Sequence, residues 1–314
     1  MQILDGGIRS RQDDGFVNQL AAGAPALCGR VQGTVEAMYA AMNGTLVAGR
    51  VPWPEFARLA AKVGFPGVDV NLPKAMEAGL DATKSLLAEL KLKPAVVGLP
   101  VEFRKDDAAF RESLKKLPEA AEFSVAIGCP RMTTWVMPSS ETPKAELRKI
   151  YKERFRACAD ILARSHMRFG LENVTPLHLR KRFPHEFIWR TDEMLEFAKE
   201  CGSNVGLLLD SWHWHHAEST IADILKAGKE RIVHVQVADA PDLPPEKIVD
   251  GERLMPGEGV IDFKAFFAAL KKIGYEDGIS PEVFGRGLKE MDPEKGARLG
   301  LETTQAAMRT AGVL

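Results

Sequence analysis

Residues 205–237, VGLLLDSWHWHHAESTIADILKAGKERIVHVQV, hold two unbroken apolar runs separated by an amphipathic stretch, and each run ends at or beside a polar residue. The runs 205–210 and 232–237 are too short for buried helices. They are apolar at successive positions, as strands covered on both faces are. Between them, residues 219–229 space their apolar side chains as a helix does. Strand, helix and strand in this order form the repeating unit of a parallel sheet.

Outward from this unit, the alternation recurs from Asn43 onward. Strands are expected at 45–48, 67–71, 95–98, 132–137, 168–172, 205–210, 232–237 and 278–282, and helices at 53–63, 75–90, 106–126, 142–166, 190–201, 219–229, 262–273 and 293–311. Eight strand-then-helix units match the size of a closed (β/α)8 TIM barrel. An open doubly wound sheet is the alternative, but Gly49-Arg-Val-Pro-Trp-Pro54 has none of the glycine spacing of a dinucleotide-binding turn. The domain reading is an N-terminal extension over 1–41, with one helix near 33–42 and no evident chemistry, followed by the barrel over 42–314.

Composition narrows the function classes. The 314 residues are 45% hydrophobic and 27% charged, which is globular, and 42 Lys+Arg against 43 Asp+Glu gives no general pull toward nucleic acid or anionic lipid. No run reaches the roughly 18 apolar residues of a membrane span. The four cysteines, Cys28, Cys129, Cys158 and Cys201, have no CxxC spacing, so a cytoplasmic chain without a disulfide framework is expected.

In a barrel of this kind the chemistry sits at the carboxyl ends of the strands. There Glu172, Asp210, Gln236 and Glu282 end, or nearly end, four successive strands, each about one strand–helix repeat after the last. Any one of them reads equally well as a helix cap or a solvated loop residue. Four on neighbouring strands converge on one volume, where carboxylates repel unless a cation neutralises them. This is a divalent metal site in outline. Further candidates are His213, which can reach a substrate hydroxyl, and Arg253, whose forked guanidinium suits a carboxylate or phosphate or a loop salt bridge with Glu252 or Glu258. His234 points inward one layer deeper and reads as a core histidine. Arg50 and Arg104 are weaker candidates, and Trp135, Trp212, Trp214 and Phe284 are candidate pocket walls.

The segments Gly170-Leu-Glu-Asn173, Leu209-Asp-Ser-Trp-His213, His234-Val-Gln-Val-Ala-Asp239, Leu254-Met-Pro-Gly-Glu-Gly259 and Ser280-Pro-Glu-Val-Phe284 resemble the xylose isomerase-like barrel superfamily of sugar phosphate isomerases and epimerases. The likeness in order and spacing covers residues 43–314. It implies one divalent cation held by Glu172, Asp210, Gln236 and Glu282, and a substrate contact by His213. Many members carry His where this chain has Gln236. An amide oxygen there favours Mn or Mg, with Co or Zn as the other metals of the family. Related ketose 3-epimerases carry a substrate-binding Glu where this chain has His178, which sets it apart from that subtype.

The function expected is isomerisation or epimerisation of a sugar or polyol-derived ketone, with Glu172 and Glu282 moving a proton through an enediolate. The alternative is a lyase resembling 3-dehydroshikimate dehydratases, with Arg253 anchoring a carboxylate. An abasic-site endonuclease is disfavoured, since all seven histidines lie at or after His166, away from the early strands that would supply a zinc cluster. A non-catalytic barrel is disfavoured by the four-oxygen set. Neither a nucleic acid nor a membrane is expected as a partner, and the sequence admits a homo-oligomer.

Overall fold

The computed structural model describes residues 38–314. Eight parallel strands close into a barrel: β1 (Tyr39–Met42), β2 (Gly67–Val70), β3 (Lys93–Gly98), β4 (Arg131–Val136), β5 (Arg168–Asn173), β6 (Val205–Asp210), β7 (Ile232–Val237) and β8 (Gly278–Pro281). Each strand pairs with its neighbours in sequence, and β1 closes the ring on β8 through Tyr39 opposite Gly278 and Ala40 opposite Ile279. Every residue of β6 and β7 is buried, as their unbroken apolar runs require.

Seven strands lie where the sequence places them; the first does not. Residues 44–47 form a 3₁₀ turn, capped by the Asn43 side chain accepting from the Thr45 N–H. Leu46 is apolar because it packs on Gly300 in the helix Pro293–Thr310, where a Cβ would lie 2.5 Å from its side chain. The first strand is instead Tyr-Ala-Ala-Met, which carries little strand propensity of its own. Its position is imposed by closure, since it must pair with both β2 and β8. The barrel therefore begins inside the segment read as an extension. The helix expected near 33–42 gives way to strand at Tyr39–Met42, and the rest of that expectation lies outside the described residues.

Two expected helices are broken. Residues 75–90 become Leu72–Ala78 and Leu80–Leu90, separated by Gly79 at φ 94°, and 106–126 become Asp107–Leu114 and Leu117–Ala126, the second with Pro118 in its first turn. Phe155 packs edge-on or tilted against Phe103, Phe169 and Phe197, binding the helices Lys144–Arg164 and Thr191–Cys201 to β5. Cys129, Cys158 and Cys201 are free and buried, and Cys28 lies outside the described residues. Among the described residues no helix is long and apolar enough to cross a membrane.

We propose that the residues before Met38 are dispensable for folding. A chain beginning at Met38 keeps all of β1 and is expected to melt in one cooperative transition. A chain beginning at Asn43 loses β1, leaves β2 and β8 unpaired on one side, and is expected to lose that transition. Calorimetry of the two chains checks this.

Candidate active site

Glu172, Asp210, Gln236 and Glu282 stand at the carboxyl ends of β5, β6, β7 and β8, as the sequence places them. Asp210 serves two purposes. One oxygen caps the helix Ser211–His216 by accepting from Trp212 N at 2.7 Å and His213 N at 3.3 Å, and the other accepts from Arg253 Nη1 at 2.8 Å. Asp210 is therefore a helix cap that also stands within the polar group at the barrel mouth. Glu282 follows the last residue of β8 and stays in register because its N–H donates to Val237 O.

Gln236 donates its amide N–H to Glu282 Oε1 at 3.0 Å, and its own oxygen is buried without a partner. Asp239, which closes the same His-Val-Gln-Val-Ala-Asp segment and is the nearby sequence candidate for that amide, is engaged elsewhere. It accepts from the backbone N–H groups of Ala240, Gly257, Gly259 and Ile261 at 2.8–2.9 Å, which fixes the Pro-Gly-Glu-Gly loop. The glycines of that loop follow from this geometry. Gly257 has φ 90°, and a Cβ on Gly259 would lie 2.2 Å from Ala240 O.

The loop delivers Arg253, which is 2% exposed, into the carboxylate group. Its Nη1 donates to Asp210 Oδ2 and to Glu282 Oε2 at 3.1 Å, and its Nη2 donates to Asp250 Oδ1 at 2.8 Å and faces His213 Nε2 at 3.1 Å. The rings of Trp212 and Phe284 lie about its guanidinium at 5.0 and 4.8 Å. Burial opposes its charge, but the surrounding carboxylates hold it protonated. Glu258 pairs with Arg286 instead, and only the Nε–H of Arg253 lacks a partner.

His213 is fully buried beside Glu172, 3.7 Å from Oε1. Because a guanidinium only donates, His213 Nε2 accepts from Arg253, while Nδ1 faces Thr175, 3.0 Å from its Oγ1 and 3.4 Å from its backbone N. Burial, reinforced by Arg253, keeps this ring neutral by lowering its pKa well below the usual value. Glu172, Asp210 and His213 each offer a ligand atom within 4.8 Å of the others. Glu172 Oε1, like Gln236 Oε1, is buried without a hydrogen bond.

Two buried acceptors without donors, in a group of carboxylates, are what a cation would satisfy, so these residues fit a divalent ion. Burial pushes Glu172 well above the usual carboxylate range, with Glu282 and Asp210 adding to the shift. Burial likewise raises Glu282, to about 7, against the pull of Arg253.

The family model of the xylose isomerase-like TIM barrel matches residues 57–307. The chain belongs to that family. It is 26% identical to an inosose isomerase of Bacillus velezensis over 258 residues, 80% of this chain and 90% of that protein. It is 30% identical to a 3-dehydroshikimate dehydratase of Pseudomonas putida over 269 residues, 83% of this chain but 40% of that protein. The solved structure of a xylose isomerase domain protein from Alicyclobacillus acidocaldarius superposes with a TM-score of 0.81 at 29% identity, covering 88% of this chain and all of that one.

Most of the other sequence candidates have partners of their own, and Trp135 pairs in register with Glu172 on the neighbouring strand. Arg50 donates to the carbonyls of Leu288 and Met291, Arg104 stacks on Trp135, His178 is exposed, and Trp214 packs on Phe266. His234 is the buried core histidine expected, with Nε2 2.9 Å from Ser280 Oγ. The sequence reading missed Asp250 and Thr175, and gave Asp239 a different partner. Asp239 ends the His-Val-Gln-Val-Ala-Asp run and was legible there; Asp250 lies in an aperiodic charged loop that carries no signal.

The buried charges set a pH signature for the metal-free protein. Glu172, Glu282 and Asp69 have folded pKa values above their unfolded ones, so the folded chain holds extra protons and loses stability as pH rises from about 4 toward 7 and beyond. His213, His215, His216 and His234 are lowered, so their contribution rises with pH and is complete above 6.5. The two effects oppose each other below about 6.5, and only the carboxylates act above it. The Tm of metal-free protein is expected to fall between about pH 6.5 and 8. Glu282→Gln should flatten the fall, and calorimetry across that range checks both.

Proposed function

We propose that the protein is a divalent-metal-dependent isomerase or epimerase of a neutral sugar-like ketone. The observation that carries this reading is the pair of orphaned buried oxygens, Glu172 Oε1 and Gln236 Oε1, beside Asp210 and Glu282. The relatives support the chemistry, among them the inosose isomerase that the chain covers over 90% of its length. Glu172, Asp210, Gln236 and Glu282 would hold the ion, and His213, whose ring lies within 4.8 Å of Glu172 and Asp210, is a further donor beside them. When bound, the ion polarises a substrate carbonyl and its adjacent hydroxyl, which acidifies the C–H between them.

The chain's own groups do the rest. Glu172 and Glu282 come from β5 and β8, and burial raises both, Glu172 well above the usual carboxylate range and Glu282 to about 7, which suits a carboxyl that moves protons. One removes the proton beside the carbonyl and leaves an enediolate. Return by the other on the opposite face inverts that carbon, and return to the neighbouring carbon moves the carbonyl. His213, held between Thr175 and Arg253 by both ring nitrogens, helps position that guanidinium rather than a substrate hydroxyl, and Arg253 holds Glu282 and Asp210 in place.

The lyase reading needs Arg253 to clamp a substrate carboxylate with two parallel N–H groups. Its Nη atoms are already engaged by Asp210, Glu282, Asp250 and His213, which disfavours that role.

Purified protein is expected to carry about one divalent ion per chain, and Glu172→Ala or Glu282→Ala to lose it, read by elemental analysis. Activity should prefer Mn or Mg, and Gln236→His should shift it toward Co or Zn. Full metal retention by both alanine variants would overturn the ligand assignment.

The reaction is tested with an inosose in D2O. Deuterium should enter at the carbon next to the carbonyl, and Glu282→Gln should slow this by about 100-fold or more. Loss of water from dehydroshikimate without exchange into the inosose would favour the lyase instead.

A further inference from the structure

Asp69, the third residue of β2, is a mostly buried carboxylate outside the candidate cation site. Its two oxygens take different partners. Oδ1 accepts from Ser280 Oγ at 2.7 Å, a bond that reaches past the intervening strand β1 to β8. Oδ2 accepts from Asn43 Nδ2 at 2.8 Å.

Each bond opens a chain of neutral groups. With Asp69 ionised, Ser280 must donate to it, and the Ser280 oxygen then accepts from His234 Nε2 at 2.9 Å, which ties β7 to the same point. On the other side, Asn43 Oδ1 accepts from Thr45 Oγ1 at 2.8 Å, and Thr45 Oγ1 accepts from the Val283 N–H at 3.1 Å. Every donor in both chains points toward Asp69. Burial raises its pKa to about 7, and the bonds from Ser280 and Asn43 work against that rise.

Both chains end on the same short stretch. Ser280 lies two residues before Glu282, and Val283 directly follows it. Pro281, between Ser280 and Glu282, has no N–H to give to the sheet, so the backbone ladder alone holds this end weakly. The two oxygens of one carboxylate therefore secure the Glu282 backbone from both sides. Its side chain meets Gln236 and Arg253 at 3.0 and 3.1 Å, contacts that a small shift of the strand end would break. The bonds His234 to Ser280 and Gln236 to Glu282 each join residues 46 apart, so they are successive rungs between β7 and β8, and the lower rung sets the place of the upper.

We infer that Asp69 is a positioning residue for Glu282, acting through Ser280 on one side and through Asn43 and Thr45 on the other. This rests on the reading of Glu282 as a cation ligand and proton carrier, and adds to it what holds that residue in place.

The test uses full-length protein and three variants. Thr45→Val keeps the shape of the side chain and removes its hydroxyl, Thr45→Ser keeps the hydroxyl, and Asp69→Asn puts a donor where the chains need an acceptor. Mn2+ is titrated calorimetrically into each metal-free protein, and deuterium exchange into an inosose is measured with Mn2+ present. Thr45→Val and Asp69→Asn are each expected to weaken Mn2+ binding and slow exchange by about tenfold, and Thr45→Ser to stay within about twofold of wild type. On a Glu282→Gln background, Thr45→Val should slow exchange no further, because the group it positions is already gone.

Wild-type affinity and exchange in Thr45→Val and Asp69→Asn overturn the inference. An equal tenfold loss on the Glu282→Gln background also overturns it, by showing that the chains act elsewhere. If wild type neither binds Mn2+ nor exchanges the inosose, the metal-dependent ketone reading fails, and a crystal structure of Thr45→Val still decides the positioning. Loss of the Glu282 contact to Gln236 or Arg253 there supports it, and an unmoved Glu282 overturns it. If Asp69→Asn does not fold, the two Thr45 variants decide the matter.

Discussion

A single buried guanidinium organises the catalytic end of the barrel. Arg253 touches Asp210, Glu282 and Asp250 at once, and Glu172 lies among them with one oxygen unanswered. Removing several carboxylates from water is tolerable only if charge or protons compensate them. Arg253 compensates in part. Burial, with the neighbouring carboxylates adding to it, raises the protonation of Glu172 and Glu282, and a divalent ion would relieve both.

Arg253 reaches that position because Asp239 ties down the loop that carries it. Four backbone N–H groups converge on one carboxylate, which accounts for the two glycines of Pro-Gly-Glu-Gly and for the tight return of the chain toward the barrel. The loop is thereby rigid where an ordinary strand–helix connection is loose. A charged side chain on a loop can then be placed as securely as one on a strand.

The two ends of the barrel divide the work. At the amino-terminal end, Arg131 donates to Asp277 at 2.7 Å and to the Ala95 carbonyl, so that ion pair is satisfied and holds the strands together. At the carboxyl end, polar atoms are left unanswered on Glu172, Gln236, Trp53 and the Nε of Arg253. Unanswered groups cost stability, and those at this end stand where ligands enter a barrel.

The periodicity of apolar runs is enough to read the barrel, because strands buried on both faces must be apolar throughout, and the carboxyl ends of those runs single out Glu172, Asp210, Gln236 and Glu282 from the sequence alone. Local sequence misplaced β1, because Tyr39–Met42 has no strand character of its own and becomes a strand only when β2 and β8 need a partner. The sequence likewise named Arg253 without its partners, and passed over Asp250 and Asp69 altogether. Hydrogen bonds between residues far apart in the chain leave no periodic trace, so the direction in which Gln236 turns its amide, the neutrality of His213 and the meeting of Asp69 with Ser280 across 211 residues were decided only when the barrel closed.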